Sequence, residues 1–250
     1  MEKISRPLTK NDHLDPLKEF YHDNVADDYE ERIENLKHRG IALLIVDMQY
    51  LDAAEGYGMF KDILASGIPI EQQQYYFDTL KQYVIPNIQR LLKSFRDQRM
   101  EIIHVRIQSL TPDGRDRSNG HKRLNLLAPP GSKEAEFLKE VAPLEDEIII
   151  NKTASGVFSS TNLNYVLSNI GVNELVVAGV YTNECVETTI RDACDLGYLV
   201  TMVEDACTTV TPELHNATIM TLRNRYAAVE STDHIVERFK KVPSPLEKPV

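Results

Sequence analysis

The 250-residue sequence lacks the glycine-rich loops that hold phosphate: there is no G-x-G-x-x-G after the first apolar strand pattern and no G-x-x-x-x-G-K-[ST] anywhere. Both motifs work by letting backbone N–H groups approach a phosphate closely, so nothing signals a dinucleotide or nucleotide cofactor. G-x-S-x-G, the mark of a serine-hydrolase elbow, is missing too. Positive charge is scarce, with 28 Lys and Arg against 38 Asp and Glu for a formal net charge of −10. Nucleic acids and anionic membranes are held by clustered cations, so neither is expected as a partner. The one basic cluster, Arg115, Arg117, His121, Lys122 and Arg123, reads as a solvated or substrate-facing loop. No apolar run approaches the roughly 20 residues that cross a bilayer. The first residues, Met1 to Pro7, show no hydrophobic signal core, and a soluble, cytoplasmic protein is expected. Cysteine is rare as well: Cys185, Cys194 and Cys207 form no C-x-x-C pair, which argues against a disulfide framework and a structural zinc site. Thiol chemistry stays open.

What is present is a core pattern. With 42% hydrophobic residues the chain can bury one sizeable core, and no composition break divides it. A charged extension, residues 1–40 with a helical stretch from Asp28 to Lys37, precedes a single domain over 41–250. Apolar runs predict strands at Ile41 to Val46, Glu101 to Ile107, Glu147 to Ile150, Asn173 to Gly179, Tyr198 to Val203 and Tyr226 to Val229. Helical spacing appears over Phe77 to Gln98, Lys133 to Val141, Thr161 to Asn169, the stretch after Asn183, and Pro212 to Arg225. Strands apolar on both faces, alternating with helices, imply a doubly wound α/β fold: a mostly parallel six-stranded sheet, Rossmann-like, with helices on both faces. Such sheets bind ligands beyond their carboxyl ends, where strand order reverses.

That rule selects three residues. Cys185 follows the fourth strand at the start of a helix, with Asn183 as expected N-cap; there free N–H groups and the helix dipole would favour the nucleophilic thiolate. Cys194 falls on the apolar stripe of the same helix and reads as core, and Cys207, after the next strand, reads as structural. Asp47 ends the first strand and Lys152 lies just past the third. A carboxylate, a cation and a thiol at one edge offer a base, a charge partner and a nucleophile.

The segments Ile45 to Gln49, Asn151 to Phe158 and Gly179 to Val186, in that order, resemble the three signatures of the isochorismatase-like cysteine hydrolases. Arg191-Asp192-Ala193, Gly197-Tyr198, Glu204-Asp205-Ala206 and His215 add to the resemblance, which covers about residues 41–235. It implies a catalytic triad of Asp47, Lys152 and Cys185, an oxyanion hole from the backbone N–H groups of Tyr181 and Cys185, and a cis peptide at Val180–Tyr181. It implies hydrolysis of a C–N bond in a small amide or ureido compound through a thioester, no cofactor, and a homodimer or homotetramer. The nicotinamidase branch is expected to carry D-x-H-x-x-H shortly after its first aspartate, whereas residues 50–60 hold no histidine; a metal-free branch similar to ureidoacrylate and biuret hydrolases is implied. Gln49, Arg106, Gln108, Arg117, Phe158 and Tyr181 are the candidate substrate contacts. The stretch 50–74, with Tyr57 and Phe60, and the following Tyr75 and Tyr76, departs from the compact pattern and is a candidate lid or dimer contact.

Overall fold

The computed structural model describes residues 29–62 and 66–241. Six strands, β1 (Ile41–Val46), β2 (Glu101–Ile107), β3 (Ile148–Lys152), β4 (Glu174–Val180), β5 (Leu199–Thr208) and β6 (Ala228–Glu230), form one sheet in the order β3-β2-β1-β4-β5-β6. Every neighbouring pair is parallel. The order reverses between β1 and β4, which places a crevice where their carboxyl ends separate. β1 is apolar at every position because successive side chains serve opposite faces. Ile41, Leu43 and Ile45 pack with Ile88, Leu91, Leu92 and Phe95 of one helix layer, while Ala42, Leu44 and Val46 pack with Leu163, Leu167, Ile190 and Ala193 of the other.

The first layer holds α1 (Tyr29–His38), α2 (Ile70–Thr79), α3 (Ile85–Asp97) and α7 (Thr232–Phe239); the second holds α4 (Leu163–Ile170), α5 (Glu187–Asp195) and α6 (Pro212–Leu222). Helix α1 is no trailing segment: Leu36 enters the core and Arg32 reaches Glu174, the first residue of β4, at 3.0 Å. Arg238 of α7 meets the same carboxylate at 2.9 Å, so one buried acid ties two helices to the sheet.

Several boundaries differ from those the sequence predicts. The helix expected over Phe77 to Gln98 begins at Ile70 and widens at Leu80–Val84, where the Ile85 N–H donates to Leu80 O. Pro86 follows at the second position of α3; a proline inside a helix lacks an N–H and crowds the carbonyl four residues back, and the wide turn relieves this. Lys133 to Val141 is not one helix but two short turns, Lys133–Ala135 and Lys139–Val141, because Phe137 between them pairs with Gln49 as an antiparallel bridge. Cys207 lies within β5, not after it: the register jumps from Val177↔Met202 to Gly179↔Cys207, so intervening residues of β5 bulge and pairing resumes. Helix α7 has no counterpart among the expected elements; its start is capped by Ser231, which accepts from the His234 N–H.

Candidate active site

Asp47 comes directly after β1 in the left-handed region, φ +54°, a conformation aspartate tolerates better than most residues. Its N–H still donates to Val105 O at 2.9 Å, which anchors the residue to β2. Lys152 ends β3 and pairs in register with Ile107. Its strand is two places from β1, about 10 Å by the usual spacing, so a long side chain is needed to cross the end of β2. The ammonium arrives 2.9 Å from Asp47 Oδ2, 3.3 Å from Cys185 Sγ and 3.0 Å from Ala154 O. Asp47, Lys152 and Cys185 are 1%, 0% and 4% exposed. They meet at the β1/β4 crevice.

Cys185 sits differently from the expected first helical turn. Thr182–Val186 is a wide turn closed by the Val186 N–H donating to Tyr181 O, and α5 starts only at Glu187. Asn183 does not cap it; its Oδ1 accepts from the Thr209 hydroxyl. The Cys185 carbonyl accepts from Thr189 Oγ1 at 2.6 Å. The Val180–Tyr181 peptide is cis. Gly179, at φ +123°, lets β4 pass so near β1 that a Cβ there would fall 2.0 Å from Val46 O.

Electrostatics also correct the expected thiolate. Burial pushes the Cys185 thiol well above its usual range, Asp47 and Asp52 add to the push, and Lys152 only opposes it. Desolvation outweighs the helix end. Burial raises Asp47 as well, against the pull of Lys152. For Lys152 desolvation favours the neutral amine, but Asp47 and Cys185 prevail and hold the ammonium above the ordinary lysine range. The resting site is therefore a carboxylate–ammonium pair beside a neutral thiol.

Of the candidate substrate contacts, Tyr181 lies in the site but is pinned: its hydroxyl donates to Asp52 O at 3.0 Å and its ring lies 5.1 Å from that of Tyr76. Gln49 has a structural use. Its Oε1 accepts from the Ile107 N–H at 2.6 Å, and its Nε2 donates to Ile107 O and Glu134 O at 2.9 and 2.8 Å. Arg106 alternates away from Ile107 and Lys152 to the opposite sheet face, where it binds Asn151 Oδ1 and Ala135 O, both at 2.8 Å, and covers Phe137. Arg117 donates to Gly114 O and Leu126 O within its own loop. Phe158 is half-buried against Tyr198, with ring centres 5.9 Å apart. Gln108 continues from β2 at the site edge, its N–H donating to Lys152 O at 3.1 Å. Of the aromatics after Asp47, Phe60 stacks on Tyr76 at 5.4 Å, and Tyr76 donates to Asp52 O at 2.8 Å; residues 63–65 of the candidate lid or dimer contact lie outside the described residues.

Two buried residues near the triad were not singled out as site residues from the sequence. Asp52, 3% exposed, lies in the one-turn helix Tyr50–Ala53 and is marked only by being an acid between Leu51 and Ala53. His121, assigned to the basic loop, is in fact 3% exposed; burial, then the charges of Lys152 and Arg117, lower it to about 4. His215 meets Thr182 Oγ1 at 2.9 Å and thereby supports the cysteine turn. Among the described residues no helix is long and apolar enough to cross a membrane.

Comparison with known proteins places this geometry. The isochorismatase domain model matches residues 41–234. A ureidoacrylate amidohydrolase of Acinetobacter baylyi is 28% identical over 217 residues, covering 80% of this chain and 83% of that protein. An N-carbamoylsarcosine amidase of an Arthrobacter species is 25% identical over 64% of this chain and 62% of its own length. The crystal structure of a cysteine hydrolase from Pseudomonas syringae superposes with a TM-score of 0.67 at 23% identity, covering 81% of this chain and 93% of that one, and has the same fold. By the extent of the domain match and the shared architecture, the chain belongs to the isochorismatase family of hydrolases.

Proposed function

We propose that the protein hydrolyses a C–N bond in a small amide or ureido compound, with Cys185 as nucleophile, Asp47 as base and Lys152 as the fixed charge between them. The observation that carries this reading is Lys152 Nζ at 2.9 Å from Asp47 and 3.3 Å from Cys185, with all three buried. Because the thiol rests neutral, its proton passes to Asp47 as sulfur bonds to the carbonyl carbon. Lys152 stabilises the thiolate character that grows in this step. The backbone N–H groups of Tyr181 and Cys185 receive the developing oxyanion. Collapse breaks the C–N bond, and protonated Asp47 returns the proton to the departing ammonia or amine. Water then enters, gives a proton to Asp47 and attacks the thioester; the leaving sulfur takes that proton back, which restores the thiol and the carboxylate. The relatives named for ureidoacrylate and N-carbamoylsarcosine support the substrate class.

Ammonia release from ureidoacrylate, N-carbamoylsarcosine and biuret tests the reading. Wild type is expected to turn over at least one, and Cys185→Ala to lose about 1,000-fold or more. Equal rates in the two proteins refute it. A thiol sensor, the other use of such a cysteine, calls for an exposed low-pKa thiol, and the 4% exposure and upward shift of Cys185 both count against it.

A further inference from the structure

The mechanism uses one carboxyl of the crevice and leaves a second unexplained. Asp52 is 97% buried by its 3% exposure, and its Oδ2 has no hydrogen-bond partner. Its backbone is fixed from two sides, since the hydroxyls of Tyr76 in α2 and Tyr181 after β4 both donate to its carbonyl. The side chain is near enough to Asp47, Lys152 and Glu184 to feel their charges. Those groups, with Cys185, Tyr76 and Tyr181, are the titratable neighbours it faces.

The charge count sets its form. Lys152 is the cation that reaches Asp52, and it is already paired with Asp47 at 2.9 Å. Two buried carboxyls sharing one ammonium do not both ionise, so one keeps its proton. Asp47 holds the ion pair; Asp52 is therefore the carboxyl that keeps its proton, an O–H donor and an acceptor oxygen buried beside that pair. A planar carboxamide or ureido group offers the complementary pattern, an N–H beside a C=O. An ester offers no N–H, and a carboxylate meets the negative charge of Asp47.

We propose that Asp52 is the specificity residue of this site, pairing donor to acceptor with the carboxamide or ureido unit of the substrate as a carboxylic acid pairs with an amide. The proposal rests on the hydrolase reading above and predicts that an amide is selected over an ester of the same shape. A site that hydrogen-bonds a substrate N–H discriminates strongly against the analogue that lacks it.

Alkylation of Cys185 tests this without turnover, because iodoacetamide carries the recognised group and methyl iodoacetate puts a methoxy group, with no N–H, in place of the amide nitrogen. Rates at Cys185 are followed by peptide mass spectrometry and divided by the rate of each reagent with glutathione. The normalised preference of wild type for iodoacetamide is expected to be about tenfold or more, kept by Asp52→Asn and lost in Asp52→Ala. Asparagine remains a neutral donor and acceptor of the same size, so it guards against a folding defect in the alanine variant. The infrared carbonyl band of a protonated carboxyl should be present in wild type and absent in Asp52→Asn. A preference that survives Asp52→Ala, no preference in wild type, or a wild-type band unchanged in Asp52→Asn overturns the proposal. Retained amide turnover in Cys185→Ala would instead sink the hydrolase reading and leave the alkylation result standing.

Discussion

Replacing Lys152 by methionine keeps the unbranched side chain to within one atom of its length and removes its charge, which leaves Asp47 buried beside a neutral thiol. An isolated carboxylate in such a place takes up a proton instead of staying charged. In the folded variant the carboxyl then titrates far above the unfolded value of about 3.9. The sign follows from linkage: a raised folded pKa stabilises below the unfolded pKa, and that stability drains away as pH climbs toward the folded one. Above pH 6 the folded variant holds one proton more than folded wild type, while the two unfolded chains match at Asp47, so its stability falls by about 1.4 kcal/mol per pH unit relative to wild type. At pH 7 the protonation cost amounts to about 4 kcal/mol, within the usual range of about 3–5 for breaking a buried pair. Urea unfolding at pH 6, 7 and 8 reads this directly, with the m-value checked for constancy. Asp47→Asn in the same background should return the slope to that of wild type, since the extra proton has no Asp47 carboxyl to sit on. A Lys152→Met penalty that does not change with pH would refute the assignment of Asp47 and Lys152 as a mutually dependent buried pair.

Three other perturbations have defined outcomes. Gly179→Ala puts a Cβ 2.0 Å from Val46 O at φ +123°, and both the clash and the backbone strain predict a loss of more than about 3 kcal/mol in thermal or urea unfolding; a neutral result would mean β1 and β4 separate freely. Gln49→Ala orphans two backbone groups of Ile107 and one of Glu134, for an expected loss of about 3–5 kcal/mol. Loss of substrate affinity with unchanged stability would instead return Gln49 to the role of a substrate contact. His121, lowered to about 4 from 6.5, must stay neutral to remain buried. The unfolded chain binds its proton first as pH falls, so wild type should lose about 2 kcal/mol between pH 7 and 5 from this group, and His121→Gln should lose that much less over the same interval.

The strands were legible because burial on two faces leaves an unbroken apolar run such as Ile41 to Val46, and the site followed because polar residues stood where those runs stop. The carboxyl-end rule alone collected Asp47, Lys152 and Cys185 at one edge, and their reading as a triad came only with the family resemblance. Side-chain engagement was not legible. Arg106 reads as a pocket cation until strand alternation sends it to the face opposite Lys152, and Gln49 reads as a contact until three backbone groups are found to occupy it. The thiolate expected for Cys185 failed for a similar reason. A local rule about helix ends was outweighed by burial, which depends on residues distant in sequence such as Lys152 and Asp47.

The two ends of the sheet handle buried charge in opposite ways, and the contrast fits the place of the proposed chemistry. At the amino end Glu174 Oε1 is shared by Arg32 and Arg238, so a single carboxylate faces two guanidinium groups that pull against the burial raising it. Those contacts lock α1 and α7 to β4. At the carboxyl end one ammonium faces Asp47, Asp52 and the Cys185 thiol, three acidic groups that share too little positive charge to ionise together. A shortage of countercharge is what leaves protons there, on sulfur and on Asp52. Movable protons beside a fixed cation are what acyl transfer needs, whereas an excess of guanidinium would have drawn the site into a static pair. The same strand, β4, thus begins at a structural ion cluster and ends at the one proposed to react.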